Sequence, residues 1–283
     1  MKTNDYIIKT APRQDLNIAI DWALKEGWNP GLYDADCYHS ADTNGFLIGW
    51  LGDEAIATIS AVKYNNRFGF LGFYIVKPEY RGKGYGRQIW NAGMDTLKNC
   101  NIGLDGVVEQ QEKYQQYGFR LAYRNIRYQD FGGGQYPKDA QIIKLASVPF
   151  EAIERYELPY FPEQRSTFLN SWISQPESIA LGIQQDQQLL GYGVMRRCFS
   201  GYKIGPLFAD TPALAESLFL ALKSHANDSE PVYLDIPESN PEALALVKRF
   251  NMTVVFETAR MYKDAIPDLP INNIYGITSF EIG

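Results

Sequence analysis

The sequence predicts an α/β protein built from two tandem copies of one unit, each a central mixed, mostly antiparallel sheet flanked by helices. Strand-like runs rich in β-branched and aromatic residues alternate with amphipathic helical segments along the chain. Segments of the first half return in the second in the same order. "YIIKTA" returns as "QIIKLA", with Lys9 and Lys144 135 residues apart, and "IGLDGV" as "VYLDI", with Leu104 and Leu234 130 apart. "QQYGFRLAYRNIRY" returns as "KRFNMTVVFETARMY", with Phe119 and Met252 133 apart and Tyr128 and Tyr262 134 apart. One echo between short apolar strands means little, but three in order, with four aligned positions at nearly constant spacing, point to a duplicated fold. Between the copies "FGGGQYPKD", Phe131 to Asp139, breaks the pattern with three glycines and a proline. The boundary then falls at Gly134, giving units of residues 1–134 and 135–283.

In the first unit "YIIKTA" reads as a strand. "DLNIAIDWALKEG" reads as a helix that presents Leu16, Ile20, Ala23 and Leu24 on one face and stops at Gly27. "WNPGLYDADCYHSAD", Trp28 to Asp42, reads as an aromatic and acidic loop. "GFLIGWLGDEAIATISAVKY" is a hairpin folded at Gly52-Asp53, and "RFGFLGFYIV" continues the antiparallel meander. Further on, "RQIWNAGMDTLKNC" sets Ile89, Trp90, Gly93, Met94 and Leu97 along one helical face. "IGLDGVV" is a short buried strand, "EQQEKYQQY" a helix ending at Gly118, and "FRLAYRNIRYQ" the last strand of the unit. In "NNIYGITSFEIG" the alternation of Ile274, Gly276, Thr278 and Phe280 predicts a closing strand that has no counterpart in the first half.

Composition removes several classes of function. With 45% hydrophobic and 14% aromatic residues, the 283-residue chain is that of a folded globular protein. A net charge of −6 disfavours nucleic-acid and anionic-membrane partners, because affinity for phosphate backbones needs a basic surface. Cys37, Cys100 and Cys198 are isolated and odd in number, the spacing of neither a disulfide framework nor a zinc site, so no metal is expected. "MKTNDYIIKTAPRQ" lacks the apolar run of a signal peptide, and no uncharged stretch approaches the roughly 18 residues of a membrane span. A cytoplasmic protein is expected; nothing in the sequence speaks to its oligomeric state.

"VKPEYRGKGYGRQIW", Val76 to Trp90, concentrates three glycines and several cations between a strand and a helix. Such a turn aims backbone N–H groups at one place, and the helix dipole adds about half a positive charge there. Gly82, Gly84 and Gly86 let the backbone approach a ligand, while Arg81, Lys83 and Arg87 supply charge, so a phosphate or pyrophosphate is the expected ligand. A P-loop would carry Ser or Thr after its lysine, where "GKGY" has Tyr85 two residues on and no hydroxyl for magnesium beside Lys83. A dinucleotide fingerprint would follow the first strand of a parallel β-α-β unit, whereas this loop follows antiparallel strands. A surface turn with merely solvated cations is the plain alternative.

The pattern V-x-P-x-Y-R-G-x-G-Y-G-R closely resembles the pyrophosphate loop of the GCN5-related N-acetyltransferases (GNAT), and the order of elements around it is similar over most of residues 5 to 130. The resemblance implies acetyl-CoA as cosubstrate, held by the backbone of Tyr74, Ile75 and Val76 and by Arg81, Gly82, Lys83, Gly84, Tyr85, Gly86 and Arg87. It implies direct attack by a primary amine of a small, cationic acceptor. In "YQQYGF", Tyr114 occupies the family's tyrosine slot and would protonate the departing thiolate. The loop Trp28 to Asp42 sits where the family lines its acceptor site, so Asp34, Asp36 and Tyr38 are candidates to hold a cationic amine. Asp105 and Glu109 are the carboxylates near enough in sequence to be considered as base. An aminoacyl transferase and a non-catalytic acyl-CoA sensor are the alternative readings.

The second half resembles the divergent acetyltransferase-like domain fused to such a unit. Where the first has Arg-Gly-Lys-Gly-Tyr-Gly, it has "FADTPALAES", with neither glycine nor cation. Thr211 can cap a helix starting at Pro212, which places Asp210 where a phosphate would go, and Val247 stands in the tyrosine slot. The second copy is expected not to catalyse.

Overall fold

The computed structural model describes residues 5–138 and 141–283; the first four residues and Asp139, which ends the glycine-rich break, lie outside the described residues. The first copy runs β1 (Tyr6–Thr10), α1 (Leu16–Lys25), α2 (Asp34–Ala41), β2 (Phe46–Leu51), β3 (Glu54–Tyr64), β4 (Phe68–Val76), α3 (Tyr85–Thr96), β5 (Asn101–Val107), α4 (Gln111–Gln116) and β6 (Arg120–Phe131). The second repeats it: β7 (Ile142–Lys144), α5 (Phe150–Glu157), α6 (Ser166–Ser174), β8 (Ser178–Gln185), β9 (Gln188–Arg197), β10 (Tyr202–Ala209), α7 (Pro212–Lys223), β11 (Pro231–Pro237), α8 (Pro241–Arg249) and β12 (Thr253–Tyr262). β13 (Ile274–Gly276) follows.

Among the described residues the strands form one thirteen-stranded sheet in the order β1-β2-β3-β4-β5-β12-β6-β11-β10-β9-β8-β7, with β13 on β10. The order is symmetric about its centre because the copies have exchanged their last strands. β5 pairs antiparallel with β12, from Gly103↔Tyr262 to Val107↔Thr258, and β11 pairs with β6, from Pro231↔Phe131 to Pro237↔Asn125. β6 and β12 pair with each other, Asn125 opposite Thr258. The covalent break at Gly134 therefore does not separate the structural units: β6 completes the second copy's sheet and β12 the first's.

Each exchanged strand carries an arginine that meets an aspartate of the other copy. Arg260 on β12 reaches Asp105 on β5, and Arg127 on β6 reaches Asp235 on β11, all four side chains being nearly inaccessible. Burial makes an unpaired charge costly, so each arginine is matched by an aspartate of the other copy.

Strand alternation divides the apolar side chains between two faces. Leu71 of β4 and Ala57, Ile59 and Ala61 of β3 pack under Ile89 and Trp90 of α3. Phe68, Phe70, Phe73 and Ile75 of β4 face a central core shared by both copies, with Leu16, Ile20 and Ala23 of α1 and Phe168, Leu169 and Trp172 of α6. Behind the second half of the sheet, Leu218, Phe219 and Leu222 of α7 pack on Leu207 of β10 and Leu234 of β11.

Three sequence expectations change. Leu24, placed on the buried face of α1, is 37% exposed, and Ala19 and Trp22 are buried in its stead. The stretch Trp28 to Asp42 is not a loop throughout: it contains α2, whose polar, poor helix formers hide its periodicity and which is stabilised by packing against α6. The closing strand extends only over Ile274–Gly276.

Candidate active site

β4 and β5 are parallel and paired from Phe68↔Asn101 to Leu71↔Leu104, and there the ladder stops, although β4 continues to Val76. The strands part because β4 is bulged: its register against β3 shifts between Thr58 and Ser60, and Phe73 adopts φ +46. This left-handed backbone is uncommon for a non-glycine residue and is stabilised by the Thr58 hydroxyl, which donates to the Phe73 carbonyl at 2.8 Å. The parting opens a cleft of about 520 Å³ along the edge of Tyr74, Ile75 and Val76.

The glycine turn closes one end of the cleft. Gly82 and Gly84 have φ of +75 and +86, and a side chain at either would meet open space, so glycine is required by backbone conformation there. Gly84 caps α3 without any side-chain hydrogen bond, which leaves the helix's first N–H groups free. The turn is pinned from behind by Glu54, which accepts from Lys77 Nζ and the Tyr80 hydroxyl, both at 2.7 Å. These features fit a pyrophosphate.

Tyr114 of α4 lines the cleft beside Trp90, its ring stacked at 5.6 Å between centroids, and a Cβ on Gly106 would overlap that ring. Burial, with a smaller contribution from Tyr74, pushes the Tyr114 phenol well above the ordinary tyrosine range, so it stays protonated at neutral pH. The far end is built largely by the second copy: Phe256 and Thr258 of β12 and Phe280 and Glu281 of the segment after β13, facing Trp28 of the first.

Of the residues the sequence singled out for the cosubstrate, Tyr74, Ile75, Val76, Arg81, Gly82, Gly84, Gly86 and Arg87 line the cleft. Lys83 and Tyr85 do not: the Lys83 ammonium lies 5.3 Å over the Tyr80 ring, and Tyr85 packs between Tyr6 and Tyr80. Arg81 is tied to Glu26 at 2.5 Å and to the Val76 carbonyl at 2.8 Å. Asp34, Asp36 and Tyr38, expected to hold the acceptor, are not in the cleft wall. Asp34 is fully buried, accepting from Arg196 Nε at 2.8 Å and from the Gly31 N–H at 2.7 Å. Asp36 is at the surface, paired with Arg13. Tyr38 is fully buried but donates to Glu281 Oε2 at 3.0 Å, one residue behind the wall. Asp105 lines the cleft but is held by Arg260, as a structural carboxylate would be.

Trp28, Lys113, Phe256, Thr258, Phe280 and Glu281 were missed. The last four come from the other copy, and nothing local in the sequence announces that β12 and the following segment cross over.

The second copy's corresponding cleft is filled. β10 and β11 are paired only from Tyr202↔Val232 to Ile204↔Leu234, and β13 enters the space beyond, with Leu207↔Gly276 and the Ile277 N–H donating to the Asp235 carbonyl at 2.8 Å. Thr211 caps α7 as expected, accepting from Leu214 N, and Asp210 accepts from the Tyr156 hydroxyl at 2.8 Å.

A parted parallel strand pair, a glycine turn at a helix N-terminus and a tyrosine beside the gap together define a GNAT-type acyl-transfer site. An acetyltransferase (GNAT) family model matches residues 14–119, and an acetyltransferase (GNAT) domain model matches residues 153–276. The chain belongs to the GNAT family, in tandem form. Holothin acyltransferase of Pseudoalteromonas sp. strain SANK 73390 is 28% identical over 278 residues, covering 97% of this chain and 94% of that protein. A solved protein of Pyrococcus horikoshii, classed with the acetyltransferases, superposes with TM-score 0.84 at 22% identity, over 100% of this chain and 97% of its own. A tandem GNAT protein from the clavulanic acid biosynthesis pathway gives 0.65 at 13% identity, over 93% and 100%. At those identities the solved structures share the fold. The chain is a GNAT-type acyltransferase, of a family that generally uses acyl-CoA.

Proposed function

We propose that this protein is an N-acetyltransferase that moves the acetyl group of acetyl-CoA to a primary amine of a small cationic acceptor. The observation that carries the reading is the parting of β4 from β5 directly above the Gly82–Gly86 turn, which offers an unpaired strand edge and an anion cradle in one cleft. The backbone of Tyr74 to Val76 aligns the pantetheine arm and polarises the thioester carbonyl. The N–H groups of the turn and the Arg87 side chain bind the pyrophosphate.

The amine nitrogen forms a bond to the acyl carbon, the carbon–sulfur bond breaks, and Tyr114 gives the departing sulfur its proton, later regained from the nitrogen. The copies divide the work: the first holds the cosubstrate, the second binds none. A cytoplasmic location belongs to this reading. Neither nucleic acid nor membrane is a partner in this reading.

Titration calorimetry of acetyl-CoA into the whole chain tests it. One site per chain, lost in Gly84→Glu, is expected. Two sites would mean that β13 yields its place, and absence of binding would overturn the proposal.

A further inference from the structure

Three carboxylates line the cleft: Glu26, Asp105 and Glu281. Two are committed, Glu26 to Arg81 and Asp105 to Arg260, whose guanidinium engages both carboxylate oxygens. Glu281 has no ion-pair partner among the described residues. Its Oε2 is oriented by Ser279 Oγ at 2.6 Å and the Tyr38 hydroxyl at 3.0 Å, while its Oε1 is buried and has no hydrogen-bond partner. A buried carboxylate oxygen without a donor is costly, and an ammonium group brought to it would supply one.

The segment that carries Glu281 is held rigidly. Arg165, paired with Glu157, donates to Thr278 Oγ1 and to the Gly283 carbonyl, both at 2.8 Å, and the Tyr64 hydroxyl donates to the Ile282 carbonyl at 2.9 Å. Gly72 of β4 lies so close to the Glu281 carbonyl that a Cβ would overlap it. Glu281 is thus placed against the bulge where the strands part. Aromatic residues stand at the same end of the cleft: the half-buried Trp28 and Phe256, with the buried Phe73 and Phe280 beside them.

Resting on the acetyl-transfer reading, we infer that Glu281, contributed by the second copy's side of the molecule, is the general base. It receives the acceptor's ammonium on Oε1 and takes one proton from it, freeing the nitrogen lone pair for attack, and later returns that proton to solvent. The partly exposed Trp28 and Phe256 rings select a primary amine carried on a flat aromatic body. The titratable and charged groups around the carboxylate are Tyr38 of α2 with Asp34 and Arg196 behind it, Asp105 of β5, Arg127 of β6 and Lys203 of β10. Tyr38 is pushed well above the ordinary tyrosine range by burial and stays a donor, and Arg127 is bound to Asp235.

The test measures acetylation of 2-phenylethylamine and tryptamine by the whole chain and by Glu281→Gln and Glu281→Asp, with acetyl-CoA affinity determined alongside. In Glu281→Gln the turnover at neutral pH should fall by about 10²-fold or more while acetyl-CoA affinity is kept. Its kcat/KM should then climb with pH toward the amine's own pKa, as solvent supplies the free base, whereas the unaltered protein levels off earlier. Glu281→Asp should recover part of the loss, which a merely structural role would not predict, and serves if the glutamine variant does not fold. Turnover by Glu281→Gln within about threefold of the unaltered protein, or a loss that does not change with pH, overturns the assignment. Acetyl-CoA binding without acetylation of either amine by the unaltered protein overturns the inferred acceptor class; absence of acetyl-CoA binding overturns the underlying reading.

Discussion

Arg260 grips Asp105 across the line between the two copies, Nε 2.9 Å from Oδ1 and Nη2 2.6 Å from Oδ2, and Arg127 grips Asp235 in the symmetry-related place at 2.6 and 2.8 Å. Removing one partner strands a buried charge, at a cost of about 3–5 kcal/mol. Arg260→Met is therefore expected to lower unfolding free energy by that order in urea titration. Adding Asp105→Leu should restore most of it, because the stranded carboxylate is then gone too.

Tyr114→Phe keeps the ring stacked on Trp90 but removes the hydroxyl. Acetyl-CoA affinity should be retained while kcat falls by about 10²-fold. Because burial raises the phenol, the alkaline loss of kcat in the unaltered enzyme should begin above the ordinary tyrosine value of about 10. A loss well below that pH, or a Tyr114→Phe enzyme of full activity, would exclude Tyr114 as the acid.

Gly72 and Gly82 are required for different reasons, and alanine separates them. At Gly72 the new methyl overlaps the Glu281 carbonyl and must displace backbone, costing about 1–3 kcal/mol; at Gly82 nothing is in the way and the cost is left-handed backbone strain of about 1–2 kcal/mol. Gly72→Ala should also impair acceptor turnover more than acetyl-CoA binding, measured by kinetics and calorimetry together.

β13 occupies the second copy's parted strands through the Ile277 N–H and its pairing with β10. Ile277→Pro removes that donor and should lower Tm. It should not create a second acetyl-CoA site, since Asp210 and the capped start of α7 offer no glycine turn, and a stoichiometry of two would refute this.

Much of the fold was legible locally. The hairpin at Gly52, the α3 stripe of Ile89 and Trp90, and the stop at Gly118 depend on neighbours a few residues away, and the observed elements agree. The Gly82–Gly86 turn was legible for the same reason, its left-handed glycines being a local backbone demand. The far end of the cleft was not. Asp34 and Tyr38 looked like ligands because they are polar and lie in an aromatic stretch, but their partners, Arg196 and Glu281, stand 162 and 243 residues away.

The sequence alone determined the duplicated unit, the Gly82–Gly86 turn at one end of the cleft and the lack of such a turn in the second copy, since periodicity, turn glycines and helix caps act over short range. Only the tertiary structure decided that the copies exchange β6 and β12, that β13 fills the second cleft, and that the second copy supplies Phe256, Phe280 and Glu281 to the first. Those outcomes depend on burial and charge pairing between strands more than a hundred residues apart, which no local pattern encodes.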